Sequence, residues 1–160
     1  MRLGIVSDTH GRRPGALAAV RMLESLEVDA VVHCGDIGDS AIIELFAPWT
    51  THFVQGNCDE DPADLEAAAV AGGHVWHGLF GSFEAAGRRI ALLHSHQRER
   101  LRQAILCGQW DLICYGHTHQ AAIDRHGATL VVNPGALHRA QPHSLAIVDL
   151  PELEPQIIRL

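Results

Sequence analysis

Histidine and carboxylate side chains follow short apolar stretches along this chain, and the densest such group is Gly-His-Thr-His at 116–119. It comes directly after the apolar run 112–115, which has the length and composition of a short buried strand. His117 and His119 are two residues apart, so we expect their imidazoles to point the same way from an extended loop. That arrangement suits the binding of a metal ion better than the filling of a core, although the pair alone is equally compatible with an ordinary loop.

Five more residues with metal-ligating side chains stand in similar settings, each after an apolar stretch: Asp8, His10, Asp36, Asn57 and His94. Considered one at a time, each has an ordinary role. Asp8 and Asp36 could cap helices, and Asn57 could occupy a left-handed turn. His10 could be a plain loop residue, and His94 could be a core histidine with satisfied hydrogen bonds. Together with the pair in the first motif, so many coincidences at strand ends favour a shared metal site.

The elements around these residues predict where the side chains meet. Residues 2–7 and 30–34 read as buried strands, and the apolar residues at helical spacing over 14–27 predict a helix between them. A strand–helix–strand unit of this kind makes the two strands parallel, so both strands end at the same edge of the sheet. Ligands bind at that edge in open α/β sheets, and it is there that we expect Asp8 and Asp36.

The remaining pattern turns from helices to strands towards the C-terminus. The further elements that we expect are a short helix capped by Asp39 or Ser40 and ending at Phe46, a strand at 51–55, a helix at 62–70, a hairpin of strands 75–84 and 88–94, a helix at 97–107, and strands at 111–115, 129–132, 145–148 and 156–159. Early strand–helix units followed by a strand-rich half predict two packed sheets with helices outside. We expect residues 1–160 to form a single domain.

The composition excludes several classes of function. Hydrophobic residues make up 47%, which argues against disorder, and no apolar run reaches the length of about 18 residues that suggests a membrane span. The net charge of −7 makes nucleic acid a poor candidate partner, because nucleic-acid binders present basic surfaces. The cysteines show no CxxC spacing, so we expect small buried thiols in a reducing compartment, and hence a cytoplasmic protein: Cys34, Cys58, Cys107 and Cys114.

In order and spacing, the motifs resemble those of the calcineurin-like metallophosphoesterases over nearly the whole chain. The motifs that carry the resemblance are Asp8-x-His10, Gly35-Asp36, Gly56-Asn57, His94 and Gly116-His117-x-His119. The compact size and the Gly-Asn-Cys-Asp at 56–59 are similar to the small YfcE-type phosphodiesterases of bacteria and archaea. The resemblance implies an α/β fold, a four-layer α/β/β/α sandwich of two mixed β-sheets with flanking helices. It also implies a metal-dependent phosphoesterase that hydrolyses phosphoric diesters.

The resemblance further implies a site for two metal ions. Asp8, His10 and His119 would hold one ion, Asn57, His94 and His117 the other, and Asp36 would bridge them; Asp36, Asn57 and His94 are the expected catalytic residues. The expected reaction is in-line attack by a hydroxide held between the metals on a small or nucleotide-like phosphodiester. Carboxylate and imidazole ligands favour Mn²⁺, or else Ni, Fe, Co or Zn, over Mg²⁺ and Ca²⁺.

Several residues near these motifs raise separate expectations. Cys58 stands where many larger phosphoesterases of this fold carry a histidine that helps the leaving group, so we expect Cys58 to be structural and Asp59 to lack its usual partner. His96 could be a spare ligand, a supporting residue behind the ligands or a surface residue, whereas His33 is expected behind the ligands or in the core. The candidates for substrate contact are His138 and Arg139, and a solvated surface loop is the alternative.

A non-catalytic role is the alternative to an enzyme. A retromer subunit has the same fold and serves chiefly as a protein-binding scaffold. Missing ligands would favour that role, but all the expected ligand positions are filled in this chain. A nuclease of the same superfamily is disfavoured by the acidic balance. The sequence leaves open the physiological substrate, the native metal and whether the chain forms a homo-oligomer.

Overall fold

The strands and helices alternate in the first half of the chain, and strands dominate the second half. The structure is a computed structural model that describes residues 1–160. The strands are β1 (Arg2–Val6), β2 (Ala30–His33), β3 (Thr51–Phe53), β4 (Val75–Trp76), β5 (Phe80–Ala85), β6 (Arg88–Leu93), β7 (Leu112–Tyr115), β8 (Ala122–His126), β9 (Thr129–Asn133), β10 (Ser144–Asp149) and β11 (Glu154–Arg159). The helices are α1 (Arg13–Ser25), α2 (Ser40–Ile43, continued by a 3-10 turn at Glu44–Phe46), α3 (Pro62–Ala71) and α4 (Arg98–Leu106).

Two mixed sheets form the centre of the molecule. The first sheet has the order β11-β10-β1-β2-β3-β4, in which β1 to β4 are parallel and β10 is antiparallel to both of its neighbours, β1 and β11. The second has the order β5-β6-β7-β9-β8, with β6, β7 and β9 parallel. The predicted strand–helix–strand unit is confirmed, since α1 connects β1 to its parallel neighbour β2.

Successive side chains of β1 point alternately into two of the three apolar cores. Val6 packs with the buried face of α1, which includes Ala19 and Leu23. Leu3 and Ile5 point the other way, into a second core shared with residues of β6, β7 and β9. Fully burying a side chain such as Leu3 contributes about 1.5–3 kcal/mol, so this inter-sheet core is a major source of stability.

A third core lies between the second sheet and α4, where Leu93 and Ile113 contact Ala104. The layers are therefore helix, sheet, sheet and helix, and the predicted four-layer α/β/β/α fold is confirmed. Asp39 provides the expected cap of α2, since its Oδ1 accepts a hydrogen bond of 2.7 Å from the Ala41 N–H. None of the helices combines the length and the apolar composition that crossing a membrane would require.

One sequence expectation about the strands is wrong, and one strand was not predicted. The strand expected at 75–84 is two strands in different sheets: β4 pairs with β3, and β5 pairs with β6. The chain changes sheets between them at residues 77–79, where Gly78 has a left-handed φ of 66°. The pattern also failed to predict β8, which is the outer strand of its sheet and is mostly exposed, so its residues carry no apolar alternation.

Candidate metal centre

The predicted ligands all follow strands whose C-terminal ends meet at one edge of the two sheets. Each position lies within four residues of the end of its strand: Asp8 and His10 after β1, Asp36 after β2, Asn57 after β3, His94 after β6, and His117 and His119 after β7. The parallel pairs β1–β2–β3 and β6–β7 direct these ends the same way within each sheet. The site is therefore assembled by both sheets rather than by one.

One group of side chains gathers around Asp8. Its Oδ1 lies 3.0 Å from Nε2 of His119 and 3.9 Å from Nε2 of His10, and the two imidazole nitrogens are 3.4 Å apart. Possible ligand atoms of all three residues lie within 4.8 Å of one another. Three ligand-type atoms at such separations can surround one cation.

A second group gathers around Asp36. Its Oδ2 lies 3.3 Å from Nε2 of His94 and 3.7 Å from Nε2 of His10. Nε2 of His94 is also 3.9 Å from Oδ1 of Asp8, and the His117 ring stands edge-on to the His94 ring with centroids 5.1 Å apart. Asp36 thus lies between the two groups, with one oxygen facing both His10 and His94.

The backbone of the site is mostly left-handed, which corrects the expectation of an extended Gly-His-Thr-His loop. His117 has a φ of 80° and His119 a φ of 57°, so their rings diverge, one towards His94 and the other towards Asp8. Asp8, His10 and Asp36 are left-handed too, with φ between 47° and 57°. Non-glycine residues in this region cost about 1–3 kcal/mol each and concentrate at functional sites.

Both aspartates divide their oxygens between the backbone and the site. Oδ1 of Asp36 accepts a hydrogen bond of 2.8 Å from the Cys58 N–H, and Oδ2 of Asp8 accepts one of 3.1 Å from the His117 N–H. The other oxygen of each carboxylate faces the histidines. Neither aspartate caps a helix, since α1 begins after Arg12 and α2 after Asp39, so the capping alternative is excluded.

Two glycines permit this close approach of separate loops. A Cβ on Gly56 would overlap the carboxylate and the backbone of Asp36, and a Cβ on Gly116 would overlap the Ser7 hydroxyl and lie 3.0 Å from Oδ2 of Asp8. The glycine in Gly-Asn-Cys-Asp and the glycine in Gly-His-Thr-His are therefore required by packing against the aspartates.

His94 presents one nitrogen to the site without a hydrogen-bond partner. Nδ1 lies 2.7 Å from the Cys34 carbonyl oxygen, which can only accept, so Nδ1 carries a proton and Nε2 faces Asp8 and Asp36. Nε2 of His94 and Oδ1 of Asp8 are both buried with no hydrogen bond, so the alternative of a satisfied core histidine is excluded. The two atoms, a carboxylate oxygen and an imidazole nitrogen, both offer lone pairs and have no donor to accept from, which fits the ligands of a divalent metal ion.

The electrostatics of the metal-free site reflect the same need for a cation. Burial by itself lowers the pKa of His94, but the nearby carboxylates of Asp36 and Asp8 outweigh burial and raise it. Burial by itself raises the pKa of Asp36, but His94 and the Cys58 hydrogen bonds lower it well below its usual range. A positive charge is therefore favoured beside these buried carboxylates, and a bound metal ion would supply it.

Asn57 follows β3 and is exposed, and it does not have the left-handed φ that the turn alternative requires. Its Nδ2 donates a hydrogen bond of 3.3 Å to Sγ of Cys58. The amide oxygen accepts no hydrogen bond within the protein, so it is free to coordinate a cation.

The expectation that all four thiols are buried needs correction. Cys34 and Cys114 are buried as expected, but Cys58 and Cys107 are exposed. The Cys58 thiol lies in a group with His10 and Asp36 whose ligand-type atoms lie within 4.8 Å of one another. The sequence pattern could not show this, because the contact depends on how the β2 and β3 loops pack.

In place of a histidine partner, Asp59 binds two backbone N–H groups. Its Oδ1 accepts a hydrogen bond of 2.8 Å from the Gly38 N–H, and its Oδ2 accepts one of 2.7 Å from the Gly56 N–H. Asp59 therefore ties together the loops that follow β2 and β3, which carry Asp36 and Asn57.

The three other residues singled out in the sequence lie at or near the site. His96 lies beside the ligand candidates, with its ring centroid 5.7 Å from that of His94 and 6.3 Å from that of His117, and its Nδ1 is buried without a partner. The His138 ring stands edge-on to the His10 ring at 5.8 Å. Arg139 lines a cavity together with His10 and Cys58.

His33 lies behind the site in the core, as expected. It is fully buried, and its Nε2 lies 3.0 Å from the Thr9 hydroxyl, which can also donate to the Ile37 carbonyl. The ring packs between Phe46 and Phe53. Burial, with smaller contributions from neighbouring charges, lowers the pKa of His33 to about 3.

This depressed pKa predicts a loss of stability in mild acid. As the pH falls below about 6.5, the unfolded chain binds a proton on His33 before the folded protein does, so the free energy of unfolding drops by up to about 1.4 kcal/mol per pH unit until the pH reaches the folded pKa. His33→Gln should reduce the loss between pH 6.5 and 5 by about 2 kcal/mol in urea titrations. His126→Gln, on the exposed end of β8, is the control and should retain the wild-type loss. If His33→Gln loses as much unfolding free energy between pH 6.5 and 5 as the wild type, the loss does not come from His33.

A cluster of carboxylate and imidazole groups between two sheets defines a metallohydrolase-type centre, and comparison with known proteins supplies its family. Residues 1–152 match the calcineurin-like phosphoesterase superfamily domain. The chain therefore belongs to that superfamily and is a metal-dependent phosphoesterase. It is 30% identical to phosphodiesterase MJ0936 of Methanocaldococcus jannaschii over 138 residues, which cover 84% of this chain and 83% of the relative.

Solved structures show the same architecture. A structure described as a novel archaeal phosphodiesterase matches with a TM-score of 0.93 at 28% identity and covers 100% of both chains. YfcE, a phosphoesterase from E. coli, matches with a TM-score of 0.70 at 18% identity and covers 99% of this chain and 98% of its own. Vps29 of Chaetomium thermophilum matches with a TM-score of 0.73 at 14% identity, covering 99% and 95% respectively, and at these identities the last two show a common fold.

Proposed function

We propose that this protein is a dinuclear-metal-dependent phosphodiesterase for small or nucleotide-like phosphodiesters. The observation that carries the proposal is the pair of buried carboxylates, Asp8 and Asp36, each with one oxygen bonded to backbone and the other facing imidazoles at 3.0 to 3.9 Å. The names of the archaeal relatives support a diester rather than a monoester as substrate.

The proposed ligand sets follow the two groups of side chains, with the amide oxygen of Asn57 added to the second. Asp8, His10 and His119 would hold one ion, Asn57, His94 and His117 the second, and Asp36 would serve both. Mixed carboxylate and imidazole donors favour Mn²⁺, with Ni, Fe, Co or Zn as alternatives, over cations that prefer oxygen alone. When bound, two such cations lower the pKa of a water for in-line attack and polarise the phosphoryl oxygens.

The protein's own groups position the ligands and the substrate. The Cys34 carbonyl fixes the tautomer and the orientation of His94 through Nδ1, so that Nε2 faces the carboxylates. Arg139 faces the cavity beside His10 and can donate two parallel hydrogen bonds to phosphate oxygens, while His138 supports the His10 ring edge-on. These two residues are the proposed substrate contacts.

Cys58 is not an efficient acid for protonating the leaving group. Partial burial, together with the hydrogen bond and charge of Asp36, raises the pKa of the Cys58 thiol to about 11, so the thiol is a weak proton donor near neutral pH. A positioned general acid contributes about 100-fold to 10,000-fold. Diesters of acidic phenols, which leave without a proton, should therefore suffer least from its absence.

We expect the Mn²⁺-loaded protein to hydrolyse bis(p-nitrophenyl) phosphate faster than p-nitrophenyl phosphate. A dialkyl phosphate should be slower than the bis-aryl diester by more than about 100-fold, because alkoxide departure requires the missing acid. Steady-state kcat/KM values across this panel test both statements. Cys58→Ser should keep the difference in kcat/KM between the bis-aryl and dialkyl diesters. Cys58→His should make that difference smaller, because its imidazole can protonate the leaving group.

The scaffold alternative makes the opposite prediction for the same panel. The likeness to Vps29 extends to the fold, and nothing in the site favours a scaffold, because the ligand positions are all filled. Absence of turnover with each of Mn, Fe, Co, Ni and Zn would reject the enzymatic proposal and leave the scaffold.

A further inference from the structure

A cavity of about 440 Å³ opens beside the candidate metal centre, between α4 and β7. Its wall nearest the site is formed by Ser95 and His117, the latter a proposed ligand of the second metal. A volume of this size accommodates a group as large as a nucleoside. The cavity therefore adjoins the proposed ligand His117.

The cavity combines an apolar surface with two positive charges. Leu101 and Ile105 of α4, together with Tyr115 of β7, supply the apolar part. Arg98 and Arg102 lie one helical turn apart on α4 and also line the cavity. Arg98 makes no ion pair, and Arg102 has only an exposed contact of 3.5 Å with Glu99, so both guanidinium groups can bind an anion.

A second cavity, of about 610 Å³ and lined by His10, has the opposite charge. Apart from Arg139, its charged residues are four carboxylates: Asp39, Glu60, Asp61 and Asp64. These would repel an additional anionic group on the substituent that lies there. A phosphodiester has two substituents, so the unequal charges of the cavities select which substituent enters each.

We propose that the cavity beside α4 binds a phosphodiester substituent that has an aromatic or apolar part and a second anionic group, such as a terminal phosphate. This inference rests on the proposed phosphodiesterase function and specifies its substrate class. The aromatic part lies against Leu101, Ile105 and Tyr115, and the anion faces Arg98 and Arg102. The second substituent, on the His10 side, is neutral.

The test uses two probes with the same leaving group: thymidine 5′-(p-nitrophenyl phosphate) and the same compound with a 3′-phosphate. With the Mn²⁺-loaded full chain, kcat/KM should be about tenfold higher for the 3′-phosphorylated probe, mainly through a lower KM. In the double variant Arg98→Gln/Arg102→Gln the ratio between the probes should fall to about one. The matched control Arg100→Gln alters an arginine of the same helix that lines a different cavity, and it should keep the wild-type ratio.

A binding measurement provides a second readout. Calorimetric titration with thymidine 3′,5′-bisphosphate should give about tenfold weaker binding to the Mn²⁺-loaded double variant than to wild type, and Arg100→Gln should bind like wild type. Equal kcat/KM for the two probes in wild type, or a ratio that survives in the double variant, would overturn the assignment of this cavity and leave the phosphodiesterase proposal standing. Failure of wild type to hydrolyse either probe with any first-row metal would instead reject the phosphodiesterase proposal itself.

Discussion

Replacing Asp36 with Asn is expected to lower kcat/KM for bis(p-nitrophenyl) phosphate by at least about 1,000-fold while the protein stays folded. The amide oxygen can still accept the hydrogen bond from the Cys58 N–H, so the loop geometry is preserved. The negative charge that faces both His10 and His94 is lost, and with it the carboxylate that would serve both metals. A loss of about 4 kcal/mol in transition-state stabilisation corresponds to this factor.

The matched control is Asp29→Asn, just before β2 and away from the site. Asp29 is exposed and accepts a hydrogen bond of 2.6 Å from the Arg2 N–H, which an asparagine oxygen can also accept, so its replacement should change kcat/KM by less than about threefold and stability by less than about 1 kcal/mol. Metal content by plasma mass spectrometry and melting by circular dichroism accompany the kinetics. Wild-type turnover in Asp36→Asn would show that Asp36 is no metal ligand, and unfolding of the variant would be detected separately by the loss of ellipticity.

The sequence was sufficient to predict the layers and the edge at which the site lies. Apolar runs such as 2–7 and 30–34, separated by a helix of 3.6-residue period, permit few topologies, because the crossover must be right-handed and the strands parallel. Asp8 and Asp36 were predicted to come together for this reason, and their contacts to His94 confirm that they do. The prediction used only local pattern and chain connectivity.

The details that failed depend on contacts between distant segments. The left-handed backbone at His117 accompanies a hydrogen bond from its N–H to Asp8, which is 109 residues earlier, and no local signal specifies that contact. Cys58 has the residue type of a buried thiol, but its exposure and its approach to Asp36 follow from the packing of two loops. The split of the expected strand 75–84 has the same cause, since the chain must leave one sheet and enter the other.

Strained backbone and buried polar atoms without hydrogen bonds occur together in this site. Five of the proposed ligands have left-handed φ values, and two buried ligand-type atoms have no hydrogen bond. Each of these features costs free energy in the metal-free protein. The surrounding cores must supply that free energy, and bound cations would recover part of it by satisfying Oδ1 of Asp8 and Nε2 of His94.

Removal of bound metal is therefore expected to abolish activity and to lower the melting temperature together. After treatment with a chelator, kcat for bis(p-nitrophenyl) phosphate should fall to background, and addition of Mn²⁺ should restore it. A ligand at about 1,000 times its dissociation constant stabilises the folded state by about 4 kcal/mol, which for a chain of this size raises the melting temperature by about 10 °C.

The choice of metal sharpens this test. Mn²⁺, Co²⁺, Ni²⁺ and Zn²⁺ should each raise the melting temperature of the chelator-treated protein, whereas Mg²⁺ should have a smaller effect because four of the proposed ligands are imidazoles. Asp36→Asn should weaken the response to every transition metal, since the protein then offers one buried carboxylate instead of two. Equal stabilisation by Mg²⁺ and Mn²⁺ would mean that the histidines do not coordinate the metal. If no metal changes the melting temperature, the proposed ligands do not form a metal site.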